Sequence, residues 1–110
     1  MGVDHVTSAF HSIDDRLRFA IEHKHLIEVR YHGSARVVEP HDYGVYKGTE
    51  RLLIFQLRDS VQTHHSSTGW RLLDTSQIEE CLVLEKHFPG SRSQLHQSHL
   101  VWDVVYARVS

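Results

Sequence analysis

The sequence is poor in several features that would assign a chain to a special class of protein. Its 110 residues contain two prolines and one cysteine, Cys81. A single cysteine forms no internal disulfide, so the fold must depend on packing, as is typical of a reducing compartment. No apolar run approaches the ~20 residues of a membrane-spanning helix, and the N-terminus lacks the basic and apolar blocks of a secretory signal. We therefore expect a cytoplasmic protein with no membrane partner.

The chain also lacks an excess of positive charge. Its formal net charge is -2, which argues against a basic domain that grips phosphate backbones without specificity. Nine of the twelve cationic residues are nevertheless arginine, whose planar guanidinium suits bidentate contact with phosphates or carboxylates. A local anion site therefore remains open, beside the interpretation that these are solvated surface charges.

The apolar and charged fractions, 40% and 24%, are ordinary for a globular chain, and this length suits one domain. We predict a single domain over residues 1–110, with no internal repeat. It comprises a flexible N-terminus over residues 1–11, a helix and a barrel over 12–92, and a C-terminal extension with a strand over 93–110.

Hydrophobic periodicity predicts one helix followed by strands. Residues 12–24 suit a helix that is capped by Ser12 or Asp14 and buries one apolar stripe. Alternation then predicts strands at residues 25–32, 35–40, 51–57, 70–75, within 76–88, and at 100–109. We expect Pro40 to end the second strand or place it at an edge, the third strand to be central, and residues 59–69 and 89–99 to form polar connections. The result is a mainly β fold with one N-terminal helix, either a small antiparallel barrel or a strongly curved sheet.

Several short motifs follow one another in an order typical of a known family. They are "IEVRY", "RVVEP", "GWRLL" with Arg71 at its centre, an isoleucine five residues after "RLL", and "HFPG". This order, over roughly residues 14–92, resembles the WYL domain, in particular short single-domain bacterial members. The resemblance implies an Sm-like or SH3-like antiparallel β-barrel. It also implies ligand sensing, of a nucleotide or nucleic-acid fragment, in the setting of bacterial transcription regulation.

The chain departs from this family at identifiable positions. The Trp-Tyr-Leu that names the family maps onto Arg51, Leu52 and Leu53, so only the third residue is kept. Arg51 is either a functional exchange of an aromatic side chain for a cation or a sign that the site has lapsed. The family's Arg-x-Asp-Arg-Ile segment is replaced by residues 74–78, "DTSQI". We expect no helix-turn-helix, because only one helix precedes the barrel.

Five residues are candidates for ligand binding. Arg71 either holds a phosphate at the rim of the barrel or forms an ion pair with Glu39 or Glu79. Arg36 and the ring of Tyr31 could stack on and clamp a base at a strand end, although a tyrosine there is also typical of a core aromatic with its hydroxyl at the surface. The full predicted ligand-binding set is Tyr31, Arg36, Tyr43, Arg51 and Arg71.

Metal binding and catalysis are not predicted. The eleven histidines form close pairs, at residues 23 and 25, 64 and 65, and 96 and 99, but no carboxylate or cysteine stands at ligand spacing beside them. Cys81 falls within a predicted strand, where burial raises a thiol pKa, and no nucleophile stands beside a base. We predict a non-enzymatic module without cofactor that binds a nucleotide or single-stranded nucleic acid. The alternative is an interaction module that pairs through an exposed strand, with a homodimer as one form.

Overall fold

The computed structural model describes residues 12–59, 68–92 and 100–110. One helix and six strands are present in these ranges. They are α1 (Ile13–His23), β1 (His25–Tyr31), β2 (Ser34–Tyr46), β3 (Thr49–Asp59), β4 (Gly69–Asp74), β5 (Ile78–His87) and β6 (Val104–Arg108). A 3₁₀ turn, Thr75–Gln77, joins β4 to β5. The predicted N-terminal segment 1–11 and most of the two predicted connections lie outside the described residues.

Helix α1 begins and ends within a residue of its predicted limits because both ends are capped. The hydroxyl of Ser12 accepts a hydrogen bond from the backbone N–H of Asp15 at 3.0 Å, as an N-cap does. Lys24 ends the helix in a left-handed conformation, and its N–H donates to the carbonyl of Ala20. The buried stripe contains Leu17, Ala20 and Ile21, so the helix lays its apolar side on the sheet.

Two tight turns fix the register of the first three strands. His32-Gly33 joins β1 to β2 and Lys47-Gly48 joins β2 to β3, and all four residues have φ between 51° and 82°. Two consecutive residues with positive φ make the type I′ turn that matches the twist of a two-residue hairpin. These two glycine-containing turns are therefore the corners of the β1–β2 and β2–β3 hairpins.

The prediction that Pro40 ends the second strand, or places it at an edge, is wrong. Strand β2 continues for 13 residues, to Tyr46, with an irregularity in its pairing to β3 between Pro40 and Asp42. On the opposite side β1 pairs with β2 up to Val38, and β6 pairs with it from Asp42 onward. Pro40 thus lies between the last residue of β2 that pairs with β1 and the first that pairs with β6, where the missing backbone N–H interrupts no inter-strand hydrogen bonds on that side.

The strands form one antiparallel sheet in the order β4-β3-β2-β1-β5, with β6 beside the second half of β2. The predicted mainly β class is confirmed, and β3 has a neighbour on each side. A closed barrel is not confirmed, because no pairing joins β4 to β5 among the described residues. The sheet is nonetheless strongly curled. Four inter-strand steps of about 4.8 Å would separate β4 from β5 by ~19 Å in a flat sheet, whereas the four residue steps from Asp74 to Ile78 span at most ~14 Å.

The concave side of the curl holds the core. Residues of α1, β1, β2 and β3 in it are essentially inaccessible to solvent: Leu17, Ile21, Ile27, Val29, Val38, Leu52 and Ile54. Cys81 is also fully buried, and burial raises the pKa of its thiol to about 12, in the direction predicted. No helix in the described part of the chain combines the length and apolarity needed to cross a membrane.

Candidate functional site

Polar side chains from four adjacent strands lie at one end of the concave face. Tyr31 ends β1, Arg36 lies near the start of β2, Gln56 near the end of β3, and Arg71 in β4. Directly opposed residues of an antiparallel pair share a face. Arg36 is opposite Val29, Gln56 is opposite Val38 and Arg71 is opposite Ile54. Because these three partners are core residues, the polar side chains lie on the core face of the sheet. We call Tyr31, Arg36, Gln56 and Arg71 the inner arginine cluster.

Arg36 is the most constrained member of this cluster. Its Nη1 donates to Gln56 Oε1 at 3.3 Å, and its Nη2 donates to the backbone carbonyl of Tyr31 at 3.4 Å. The guanidinium carbon stands over the Tyr31 ring, 5.3 Å from the centroid, within the range of a cation–π contact. Arg36 and Tyr31 therefore do lie together at the strand end, as the sequence predicted.

The Nε–H of Arg36 is a buried donor that no acceptor among the described residues satisfies. A buried unsatisfied donor costs about 1–3 kcal/mol, and more when the group is charged. No carboxylate that the structure describes forms an ion pair with Arg36. An anionic oxygen reaching this position would gain both a hydrogen bond and the charge of the guanidinium.

Arg71 brings a second half-buried guanidinium to the same face. Its Nη1 donates to the carbonyl of Trp70 at 2.9 Å and lies 3.8 Å from the position that a Cβ on Gly69 would take. Gly69 is the residue opposite Gln56 in the β3–β4 register, so the Arg71 head group lies toward the Gln56 side. Glu39, one of the two predicted ion-pair partners of Arg71, instead binds Arg92.

Tyr31 has a structural contact in addition to its place under Arg36. Its hydroxyl accepts a hydrogen bond from the backbone N–H of Asp74 at 3.1 Å, linking the end of β1 to the end of β4. Its ring stacks on His32 with centroids 4.2 Å apart. The half-buried Tyr31 ring is therefore covered by Arg36 and His32, and the exposed His32 ring is the part of this stack that a flat group could reach.

Tyr43 and Arg51 lie away from the inner arginine cluster. Tyr43 is buried, and its hydroxyl donates to Asp14 Oδ1 at 2.7 Å. Burial, followed by this hydrogen bond, raises the pKa of the Tyr43 phenol well above its usual value. Arg51 faces the opposite side of β3 from the buried Leu52 and stands across from Asp74 in the register with β4. Neither residue shares a surface with Arg36.

An acidic pocket of about 470 Å³ lies between the start of α1, the Lys47-Gly48 turn and the 3₁₀ turn. Its lining includes three carboxylates, Asp14, Glu50 and Asp74, together with Tyr43. Hydrogen bonds from the side chain and the backbone of Ser76 lower the pKa of Asp74, and the charge of Arg51 contributes. The negative charge of this pocket disfavours an anion there.

Sequence reasoning missed an ion pair on the convex face of the sheet. Glu39 is buried, and both of its oxygens accept hydrogen bonds from Arg92, from Nε at 2.7 Å and Nη2 at 3.1 Å. The guanidinium carbon of Arg92 stands 3.8 Å from the Phe55 ring centroid, and Phe55 contacts Trp70 edge-on. This arrangement fastens the segment after β5 onto the sheet.

His41 belongs to the same convex-face cluster and is fully buried. Its Nδ1 lies 3.0 Å from the carbonyl of Glu39, and its Nε2 accepts from the backbone N–H of Arg92 at 3.3 Å. These contacts select the neutral tautomer with a proton on Nδ1. Burial lowers the pKa of His41, partly offset by the nearby Glu39. The only sequence signal was a polar run, "EPHD", inside a strand.

Among the described residues, no three His, Cys, Asp or Glu side chains are placed so that they could hold one metal ion, and this includes the three carboxylates of the acidic pocket. The rings of the predicted pair at residues 23 and 25 both contact Phe19, and His25 also contacts His87 at a ring separation of 4.1 Å, with its Nδ1 2.6 Å from the carbonyl oxygen of Leu84. The pairs at residues 64 and 65 and at 96 and 99 lie outside the described residues.

Comparison with protein-family models, with curated proteins and with solved structures found no match for this chain. The resemblance to the WYL domain therefore remains a prediction from the order of the motifs.

Proposed function

We propose that this protein is a ligand-binding module that takes an anionic ligand, a nucleotide or a short single-stranded nucleic acid, at the inner arginine cluster. The observation that supports the proposal best is the state of Arg36. Its guanidinium is stacked over an aromatic ring and held by two hydrogen bonds, while its Nε–H is buried and finds no acceptor in the part of the chain that the structure describes.

In this proposal Arg36 holds a phosphate oxygen through its Nε–H, and Arg71 adds a second positive charge. Charge-assisted hydrogen bonds of this kind are shorter and roughly twice as strong as neutral ones. The Tyr31 ring is covered by Arg36 and His32, so in this proposal a base stacks on the outer side of the exposed His32 ring. A nucleotide satisfies this set because it carries both a phosphate and an aromatic base.

The finer architecture follows from the same proposal. The curled sheet would function as an SH3-like or Sm-like barrel with the inner arginine cluster at one mouth, and the acidic pocket adjoins this cluster through the hydrogen bond between Asp74 and Tyr31. Repulsion from the acidic pocket would direct an anion to the basic mouth. Such a module acts as a sensor or accessory unit, with no catalytic step.

The proposal is tested by titrating the protein with labelled oligothymidylate and, separately, with mononucleotides. Replacing Arg36 by glutamine removes one charge-assisted hydrogen bond, so we expect affinity to fall about tenfold or more. Arg30→Gln is the matched control, because Arg30 lies on the neighbouring strand, is exposed on the opposite face and, among the described residues, forms an ion pair of 3.7 Å with Glu80 alone. Its affinity should equal that of the wild type.

The two titrations also separate the candidate ligands. Saturable binding of mononucleotides alone indicates a nucleotide sensor, and binding that strengthens with oligonucleotide length indicates a single-strand binder. Equal affinities for the wild type and Arg36→Gln, or equal losses in Arg36→Gln and Arg30→Gln, would contradict the proposed site. A smaller salt dependence for Arg36→Gln is a further expected result.

A further inference from the structure

A short segment after β5 crosses the convex face of the sheet. It comprises residues 88–92, which we call the strap. At its start the buried Phe88 donates its N–H to the carbonyl of Lys24 at 2.9 Å, and further along the N–H of Ser91 donates to the carbonyl of Ser110 at 3.2 Å. Arg92 ends the strap, and its contacts decide whether this end stays on the sheet.

Arg92 is held by two contacts of different kinds. Its guanidinium forms the ion pair with Glu39 Oε1 at 2.7 Å, and its backbone N–H donates to His41 Nε2 at 3.3 Å. The second contact depends on the protonation state of the histidine, because only a neutral imidazole has a nitrogen that can accept a hydrogen bond. The main chain at the end of the strap is therefore attached through a titratable group.

The two ring nitrogens of His41 have fixed roles in this geometry. Nδ1 lies 3.0 Å from the carbonyl oxygen of Glu39, which only accepts, so Nδ1 carries the proton of the neutral ring. A second proton is added at Nε2, where it faces the backbone N–H of Arg92. Two donors then point at each other, so protonation of His41 opposes the closed position of the strap.

The charges around His41 act in both directions. Glu39 and Asp42 of β2 favour the protonated ring, whereas Arg92 of the strap disfavours it. Asp42 is itself paired with Arg108 of β6. Burial outweighs the two carboxylates, so the pKa of His41 is lowered in the folded protein. The neutral ring and the closed strap therefore stabilise each other.

The strap is also part of what keeps the His41 ring away from water. Phe88 of the strap contacts the ring at a centroid distance of 5.5 Å, and Trp70 of β4 contacts it edge-on at 4.8 Å. Both neighbours are uncharged, so neither compensates a proton on the imidazole. Because Nε2 faces the backbone of the strap, release of the Arg92 end lets water reach this nitrogen and removes the burial that opposes protonation.

We propose that His41 and the strap form an acid-sensitive latch, in which protonation of His41 releases the Arg92 end of the strap while the sheet stays folded. The lost hydrogen bond and the repulsion between imidazolium and guanidinium act in the same direction. Release uncovers the ring of Phe55, whose centroid lies 3.8 Å from the guanidinium carbon of Arg92. This inference goes beyond the proposed ligand site, whose side chains lie on the concave face.

An NMR titration of isotope-labelled protein with falling pH tests the latch. The ring carbons of His41 and the backbone amides of Ser91 and Arg92 should titrate with one shared midpoint below about 6.5, the ordinary value for histidine. The amides of Leu52 and Ile54 in the core of β3 should keep their native shifts through this midpoint. Different midpoints for His41 and Arg92, or loss of the native Leu52 and Ile54 shifts at the shared midpoint, would overturn the proposal.

Hydrogen exchange of the Arg92 amide in two variants identifies the responsible group. In the wild type the opening constant, corrected for intrinsic exchange, should rise about tenfold for each pH unit between about 6.5 and the folded pKa of His41. A glutamine amide offers an acceptor at every pH, so the rise should fall below about twofold in His41→Gln.

His87→Gln is the matched control, because His87 is an exposed histidine directly before the strap. It should keep the tenfold rise of the wild type. A rise that persists in His41→Gln, or one that disappears in His87→Gln, would contradict the latch. If His41→Gln does not fold, the shared midpoint of His41 and Arg92 in the wild type decides the question alone.

Discussion

The buried ion pair between Asp42 and Arg108 offers a quantitative test of how β6 is held. Asp42 is fully buried, its Oδ1 accepts from Arg108 Nε at 3.1 Å, and its Oδ2 is buried with no donor among the described residues. Arg108→Met keeps a long side chain but leaves the carboxylate with no cation. Breaking a buried pair on one side costs about 3–5 kcal/mol, but the Arg108 side chain is 42% exposed. Allowing for solvent screening, we expect a loss of about 2–3 kcal/mol.

The assay is urea unfolding followed by tryptophan fluorescence, at one protein concentration so that self-association contributes equally. Adding Asp42→Asn to Arg108→Met removes the stranded charge, so the double variant should recover about 1 kcal/mol or more. Arg30→Met is the control, because its exposed pair with Glu80 is expected to contribute less than about 1 kcal/mol. A loss in Arg108→Met no larger than in Arg30→Met, or a double variant less stable than Arg108→Met, would refute the reasoning.

Two further predictions concern β2. A Cβ on Gly44 would overlap the carbonyl oxygen of Val104, so Gly44→Ala should displace β6 and lower the free energy of thermal unfolding by about 2–3 kcal/mol. Gly33→Ala is the control, because its Cβ meets no neighbour and only its φ of +82° is strained, so it should cost about 1 kcal/mol. A Gly44→Ala variant as stable as the wild type would contradict the close approach of β6 to Gly44. Burial lowers the pKa of His41 in the folded protein, so as pH falls below about 6.5 this histidine takes up a proton in the unfolded chain before it does so in the folded one. The free energy of unfolding should therefore decline as pH falls from about 6.5 to the lower pKa of the folded state. His41→Asn should flatten this decline relative to exposed His87→Asn, and identical pH profiles would count against it.

Local patterns were sufficient for the helix and for most strands. The cap at Ser12 and the stripe of Leu17, Ala20 and Ile21 predict α1 because capping and helical spacing are properties of neighbouring residues. Alternation predicts β1 for the same reason, and its buried residues Ile27 and Val29 are on the predicted face. These elements need no knowledge of distant parts of the chain.

The second half of β2 was missed because its burial depends on distant residues. Glu39 and Asp42 are carboxylates inside a strand, which a pattern of apolar residues assigns to the surface. Their cations, Arg92 and Arg108, lie 53 and 66 residues further along the chain. Pro40, between the two carboxylates, also indicates a strand end from sequence alone. The strand continues because Pro40 lies where the pairing with β1 has ended and the pairing with β6 has not begun.

Only part of the candidate site could be predicted from the sequence. Tyr31 and Arg36 flank a two-residue turn, so their nearness follows from local chain geometry. The place of Arg71 beside Gln56 depends on the pairing of β3 with β4, which no motif specifies. Tyr43 and Arg51 carried suitable chemistry, but a strand position alone does not tell which end or face of a curled sheet a side chain occupies.

The most direct test of the ligand-binding account is the map of backbone amide chemical-shift changes when oligothymidylate is titrated into isotope-labelled protein. The account predicts that the largest saturable changes occur at the inner arginine cluster, at Tyr31, Arg36 and Arg71, and that Arg36→Gln abolishes them. Changes centred on the acidic pocket, or none at all at saturating ligand, would contradict it.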